Sequence, residues 1–143
     1  MAEILEKARI GGYGVTAPNV QSEDTVRAVI QVAEELNAPM IIDVNAFIHP
    51  DLPWFINMIR GLVEVSPVPI AINLDHGRSY KDVMLGIRSG FTSIMVDRSS
   101  LNYEDNVRET KEVVKMCKPL GISVEAELGH VGMGSNYSVD GVN

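Results

Sequence analysis

The sequence holds one cysteine, Cys117, among 143 residues, so no internal disulfide can form. This suits a reducing compartment, and Cys117 reads as a small buried hydrophobe on the apolar face of a helix. No apolar run approaches the ~20 residues that span a bilayer. The N-terminal stretch MAEILEKARIGGYG carries charges throughout and lacks a signal-peptide core. A cytoplasmic location without a membrane partner is therefore expected. Basic residues are scarce and scattered singly: 12 Lys and Arg against 19 Asp and Glu give a net charge of −7. Phosphate neutralisation needs clustered cations, so no nucleic-acid partner is expected. Linkers, low-complexity stretches and a GxGxxG turn after the first strand are also missing, and the last absence weighs against a dinucleotide site. The segment GGYG precedes that strand rather than following it.

What is present is a recurring alternation of a short apolar run with an amphipathic helix. Residues 13–18 read as a first strand. Ser22 then caps a helix with Glu23 and Asp24 in its first turn and Val26, Val29, Ile30 and Ala33 at helical spacing. A second strand over 40–44 leads to a helix opened by Asp51 and Pro53, with Trp54, Met58, Ile59 and Leu62 on one face. A third strand, 68–74, precedes Asp75, His76 and Gly77. Ser79 and Asp82 form a capping-box-like start for a helix that turns Val83, Met84 and Ile87 inward. A fourth strand over 92–96 is followed by a helix from Asn102 carrying Val107, Thr110, Val114 and Cys117, ending near Pro119 and Gly121. A fifth strand, 122–128, runs into the loop GHVGMGSNYSVDGVN. Strands apolar on both faces that alternate with helices imply a parallel sheet covered by helices. A doubly wound sheet and a TIM barrel both fit.

In such folds the working residues gather where strands end. Here those positions hold Asn19, then Asp43 and Asn45, then Asp75 and His76, then Asp97, and on the fifth strand Glu125 and Glu127. Crowded carboxylates repel, and a divalent cation is the usual compensation. Each residue has a plainer reading too. Asp75 could cap the next helix, His76 could hydrogen-bond within the core, and Asp97 and the glutamates could be ion-pair partners. One histidine does not make a zinc site. His49 reads as a polar loop residue, and His130, in the last loop, could approach the mouth.

The markers LDHG, the GF-x-S-x-M-x-D run ending at Asp97, and SVEAELG occur in order and at spacings that resemble the class II fructose-bisphosphate and tagatose-bisphosphate aldolases. The resemblance extends from GYGVTAPN to the loop after the fifth strand. It implies a TIM (β/α)8 barrel of which residues 1–143 form the N-terminal half, β1 to β5, as a single domain ending in a mobile loop. It implies a lyase of carbohydrate metabolism that reversibly cleaves a ketose phosphate to dihydroxyacetone phosphate and an aldehyde, through an enediolate. By the same resemblance His76 is a ligand of a catalytic Zn2+ and Asp75 the acid/base at the cleaved hydroxyl. Asp97 and Glu127 belong to the neighbouring metal site, supported by Glu125, with room for a second divalent or a monovalent cation. Asn19 and Asn45 would contact the sugar phosphate. The family's oligomers imply a homo-oligomer, and a C-terminal half would bring the two further zinc histidines.

Departures from the family pattern point to a divergent sugar substrate. The last loop holds Ser135, Asn136 and Asp140 where many members have a glutamate base. Asn45 stands where serine is usual, and Arg98 replaces the small residue that usually follows the aspartate. Two other readings stay open: a non-catalytic half-barrel acting in binding or assembly, and a metal-dependent barrel hydrolase.

Overall fold

A computed structural model describes residues 1–129, in which, after two initial helices, strands and helices alternate. The order is α1 (Ala2–Gly11), α2 (Glu23–Glu35), β1 (Met40–Asn45), α3 (Leu52–Glu64), β2 (Ile70–Gly77), α4 (Tyr80–Ser89), β3 (Ser93–Val96), α5 (Tyr103–Cys117), a 3-10 turn (Lys118–Leu120) and β4 (Ser123–Ala126). The four strands form one parallel sheet in the order β1-β2-β3-β4. His130, Ser135, Asn136, Asp140 and the mobile loop expected around them lie outside the described residues.

The caps are those the sequence specifies. Ser22 accepts from the Thr25 N–H, Asp51 from Trp54, Ser79 from Asp82 and Asn102 from Asp105. Each satisfies a donor that the first helical turn would otherwise leave unpaired. Gly90 ends α4 at φ 94, a conformation that costs glycine little. Helix α1 is not among the expected elements: it lacks a side-chain cap and buries only Ile4 and Ala8, a weak apolar signal.

Five strands were expected, and four are formed among the described residues. Residues 13–18 make no strand. The Thr16 and Pro18 carbonyls accept from Ile41 and Asp43, and the Val20 N–H donates to the Asp43 carbonyl, but only Asn19 forms a bridge with Asp43. Pro18 has no N–H to give a ladder, so the pairing stays one-sided. Three helix-face assignments also fail. Trp54, Met84 and Val114 are exposed at 54%, 44% and 39%, whereas their neighbours Phe55 and Val113 are buried; Val83 is buried as expected.

Strand periodicity divides the sheet into two faces. Ile42, Val44, Ile72, Leu74, Ile94 and Val96 join the core formed with the helices. Ile41 and Ala71 point the other way and pack with Ile4 of α1. Asp43 and Asn73, paired in register, share that second face by alternation. The polar residues thus lie away from the helical core.

One irregularity then aims the chemistry. Leu74 pairs with Ile94 and Gly77 with Val96, so β2 carries one residue more than β3 between these pairs. This bulge puts Asp75 and His76 opposite Met95, and His76 takes φ 53, rare for a residue with a side chain. The phase shift returns Gly77 to the helical face, where a Cβ would stand 2.8 Å from the Met95 carbonyl oxygen and 3.4 Å from Val83 Cγ2. Backbone cannot yield as a flexible side chain does. Gly77→Ala is therefore expected to lower stability by about 1–3 kcal/mol, and an unchanged urea midpoint would refute this close approach.

Candidate metal centre

The bulge holds Asp75 and His76 in the last residues of β2, while Asp97 directly follows β3 and Glu127 directly follows β4. Neighbouring parallel strands therefore deliver residues at or just beyond their C-terminal ends to one place. His76 Nδ1 lies 2.8 Å from Asp97 Oδ2 and 3.7 Å from Glu127 Oε2, and His76 Nε2 lies 3.7 Å from Asp75 Oδ1. The plainer reading of Asp75 as a helix cap does not hold, because Ser79 caps α4. His76 does hydrogen-bond, but to Asp97 at the edge of the protein rather than inside the core.

Asp97 is built to stay ionised. Burial opposes its charge, but hydrogen bonds from the Ser99 hydroxyl and N–H, at 2.7 and 3.1 Å, and from His76 outweigh this and hold the carboxyl at about 2. Glu127 differs, since its buried Oε2 has no hydrogen-bond partner among the described residues. Ligand atoms of His76, Asp97 and Glu127 all lie within 4.8 Å of one another. An unpartnered buried carboxylate oxygen beside an ionised carboxylate and an imidazole suits a divalent cation: the donor types match, and the cation would supply the missing partner. The residues thus fit a metal.

The remaining candidates occupy other places. Glu125 does not reach the cluster by hydrogen bond. With Asp43 it receives the two N–H bonds of the buried Asn73 side chain, both at 3.0 Å, beside a cavity of about 260 Å³ also lined by Met1 and Leu5. Asn19 bridges to Asp43. Asn45 pairs in register with Asp75, and its Oδ1 accepts the Phe47 N–H in a local turn. His49 is a loop residue as expected, accepting the Asp51 N–H and stacking on Trp54 and Phe55. Asn73 was overlooked; the polar residue interrupting the apolar run Ile-Ala-Ile-Asn-Leu was its signal.

Burial raises the Asp43 carboxyl to about 6, against the hydrogen bond from Asn73 and with help from the charges of Asp75 and Glu125. The folded value lies above the ordinary 3.8, so ionising Asp43 costs more in the folded state than in the unfolded one. Its contribution is intact below about pH 4 and is lost as pH rises through about 6. Asp43→Asn keeps the acceptor for Asn73 and removes the charge. Urea midpoints of the variant should exceed those of the parent at neutral pH and converge with them in acid; parallel curves would contradict the raised carboxyl.

A parallel sheet whose strands deliver carboxylates and an imidazole to one end is the arrangement of an α/β barrel with a candidate metal site. The comparisons agree and go further. Residues 1–143 match the family described as fructose-bisphosphate aldolase class-II, and the chain belongs to that family. It is 41% identical over 140 residues to a fructose-bisphosphate aldolase of Thermus caldophilus, covering 96% of this chain and 46% of that protein. With a fructose-bisphosphate aldolase of Helicobacter pylori strain 26695 it shares 37% over 142 residues, covering 96% and 46%. The crystal structure of the YdjI aldolase from Escherichia coli K12 superposes with a TM-score of 0.86 at 33% identity, covering 92% of this chain and 52% of that one. The chain spans about half the length of the curated relatives it matches. Its sheet is accordingly part of a TIM barrel.

Proposed function

We propose that this chain supplies the first half of the active site of a zinc-dependent aldolase, which reversibly cleaves a ketose phosphate into dihydroxyacetone phosphate and an aldehyde. The observation that carries this reading is the gathering of His76, Asp97 and Glu127 donors within 4.8 Å, with Glu127 Oε2 left unpartnered, in a chain of this family. His76 would be a ligand, with Asp97 and Glu127 completing this chain's share of the donors. Bound there, zinc supplies a Lewis acid for a substrate carbonyl. Residues beyond these 143 would bring the other ligands and the phosphate-binding groups, completing a single barrel domain and its cytoplasmic homo-oligomer.

Within that site Asp75 moves the proton. It stands beside His76, so a substrate oriented at the metal presents its hydroxyl to a carboxylate. As base Asp75 removes that proton when the carbon–carbon bond breaks, and as acid it returns the proton on synthesis. Asn19 and Asn45, at the ends of neighbouring chain segments, would contact the substrate, and Glu125 would support the site from β4. The charge on Asp97, kept by Ser99, holds the imidazole of His76 in place.

The test is aldol cleavage of fructose and tagatose bisphosphates by the completed barrel, before and after a chelator. Cleavage abolished by chelation and restored by zinc is expected. Chelator-sensitive ester hydrolysis without aldol cleavage would replace this reading with the hydrolase, and neither activity would leave a binding module.

A further inference from the structure

We infer that Arg98, Asn106 and Glu109 form a positioning device that fixes the three strand ends carrying His76, Asp97 and Glu127 relative to one another. The inference rests on the metal reading above. Arg98 is only 4% exposed. Its Nε donates to Glu109 Oε2 at 2.5 Å, and its plane lies over the Tyr80 ring, 5.4 Å from the centroid. An ion pair alone would need no more. Yet Nη1 also donates to two carbonyls, that of Gly77 at 2.9 Å and that of Asp97 at 2.8 Å. The Gly77 carbonyl follows His76 directly and already accepts the Asp97 N–H at 3.3 Å. The guanidinium therefore ties the exit of the β2 bulge to the end of β3, where His76 sits at φ 53.

Asn106, 5% exposed, makes the matching tie to the next strand. Its Nδ2 donates to the Arg98 carbonyl at 3.1 Å and to the Glu127 carbonyl at 2.9 Å, while its Oδ1 accepts the Thr110 hydroxyl at 3.2 Å. Asn106 and Glu109 stand one turn apart on α5, on the same side of the helix. One helix face thus holds, through one asparagine and one arginine, the backbone at or beside all three candidate ligands. Ligand sets need this support: removing an outer partner that orients a ligand typically weakens metal binding by roughly 10–100-fold.

The test uses the completed barrel and Co2+ alone as the probe. Arg98→Met would leave Glu109 charged with, among the described residues, only the exposed Arg108 guanidinium near it, at 4.0 Å, so the variant of choice is R98M/E109M, which removes both charges of the pair; such exchanges are commonly tolerated. Val113→Ala, a buried packing loss on the same helix, is the control for general destabilisation. Expected is a Co2+ affinity at least about tenfold weaker in R98M/E109M with a shifted visible absorption band, while Val113→Ala at a similar Tm keeps the parent's affinity and band. Parent-like binding in the double variant, or equal loss in both, would overturn the inference. A metal-free readout separates the two readings: the imidazole 15N and 1H resonances of His76 should report its hydrogen bond to Asp97 in the parent and shift in R98M/E109M. Unchanged resonances overturn the positioning device, whereas a parent that takes up no Co2+ overturns the metal reading alone. If the double variant does not fold, Asn106→Asp removes the Nδ2 ties, keeps the acceptor for Thr110, and is read in the same way.

Discussion

Replacing His76 by alanine is expected to cost the completed barrel its zinc and, with it, turnover. His76 is the one imidazole in the cluster of described donors, with Asp97 Oδ2 at 2.8 Å and Glu127 Oε2 at 3.7 Å. Without it, the described residues offer only carboxylates there, a set suited to harder cations than zinc. Affinity should fall by more than the roughly 100-fold that loss of a supporting residue causes, measured by competition with a chromogenic chelator. The variant should fold, because His76 is partly exposed and alanine removes a side chain outside the core. The positive φ at this position will cost alanine some strain, so circular dichroism and Tm belong beside the metal titration. Undiminished zinc in a folded variant would remove His76 from the ligand set.

Asp75→Asn should do the opposite: spare the metal and stop the chemistry. The amide keeps the shape of the carboxylate but cannot exchange a proton with a substrate hydroxyl. A positioned acid/base contributes about 10²–10⁴-fold, so kcat should fall by that order with zinc content unchanged. The sign of the KM change is informative as well, since an interaction made only in the transition state lowers kcat and kcat/KM together. Parent-like turnover would exclude Asp75 as the proton carrier, and loss of zinc would recast it as a ligand.

The sequence made the alternation of strands and helices legible from residue 22 onward, because β1 to β3 are short, mostly apolar runs and α2 to α5 each open with a side-chain cap. It also made the members of the candidate site legible, since Asp75, His76, Asp97 and Glu127 all fall at or beside strand ends. Which of them meet was not legible. The approach of His76 to Asp97 depends on a one-residue bulge between β2 and β3, set by cross-strand register rather than by local pattern. The pairing of Asn73 with both Asp43 and Glu125 likewise joins residues 30 and 52 positions apart. Helix faces were misjudged where apolar residues nearly surround the helix. In α3 the run Leu-Pro-Trp-Phe-Ile offers several faces, and Phe55 rather than Trp54 is buried. Arg98 was noticed as a departure from the family, but only its carbonyl partners give the departure a purpose.

The strand order has a consequence for how the protein is made. Each strand pairs with the one synthesised just before it, so no pairing in this sheet waits for a distant stretch of chain. A growing polypeptide can lay down β1, β2, β3 and β4 in the sequence in which they leave the ribosome, closing one helical crossover at each step. The open edge that advances with each addition is the next strand's docking place. By the time β4 is in place, His76, Asp97 and Glu127 are already assembled, so nascent chains halted there would be the earliest species in which metal uptake could begin.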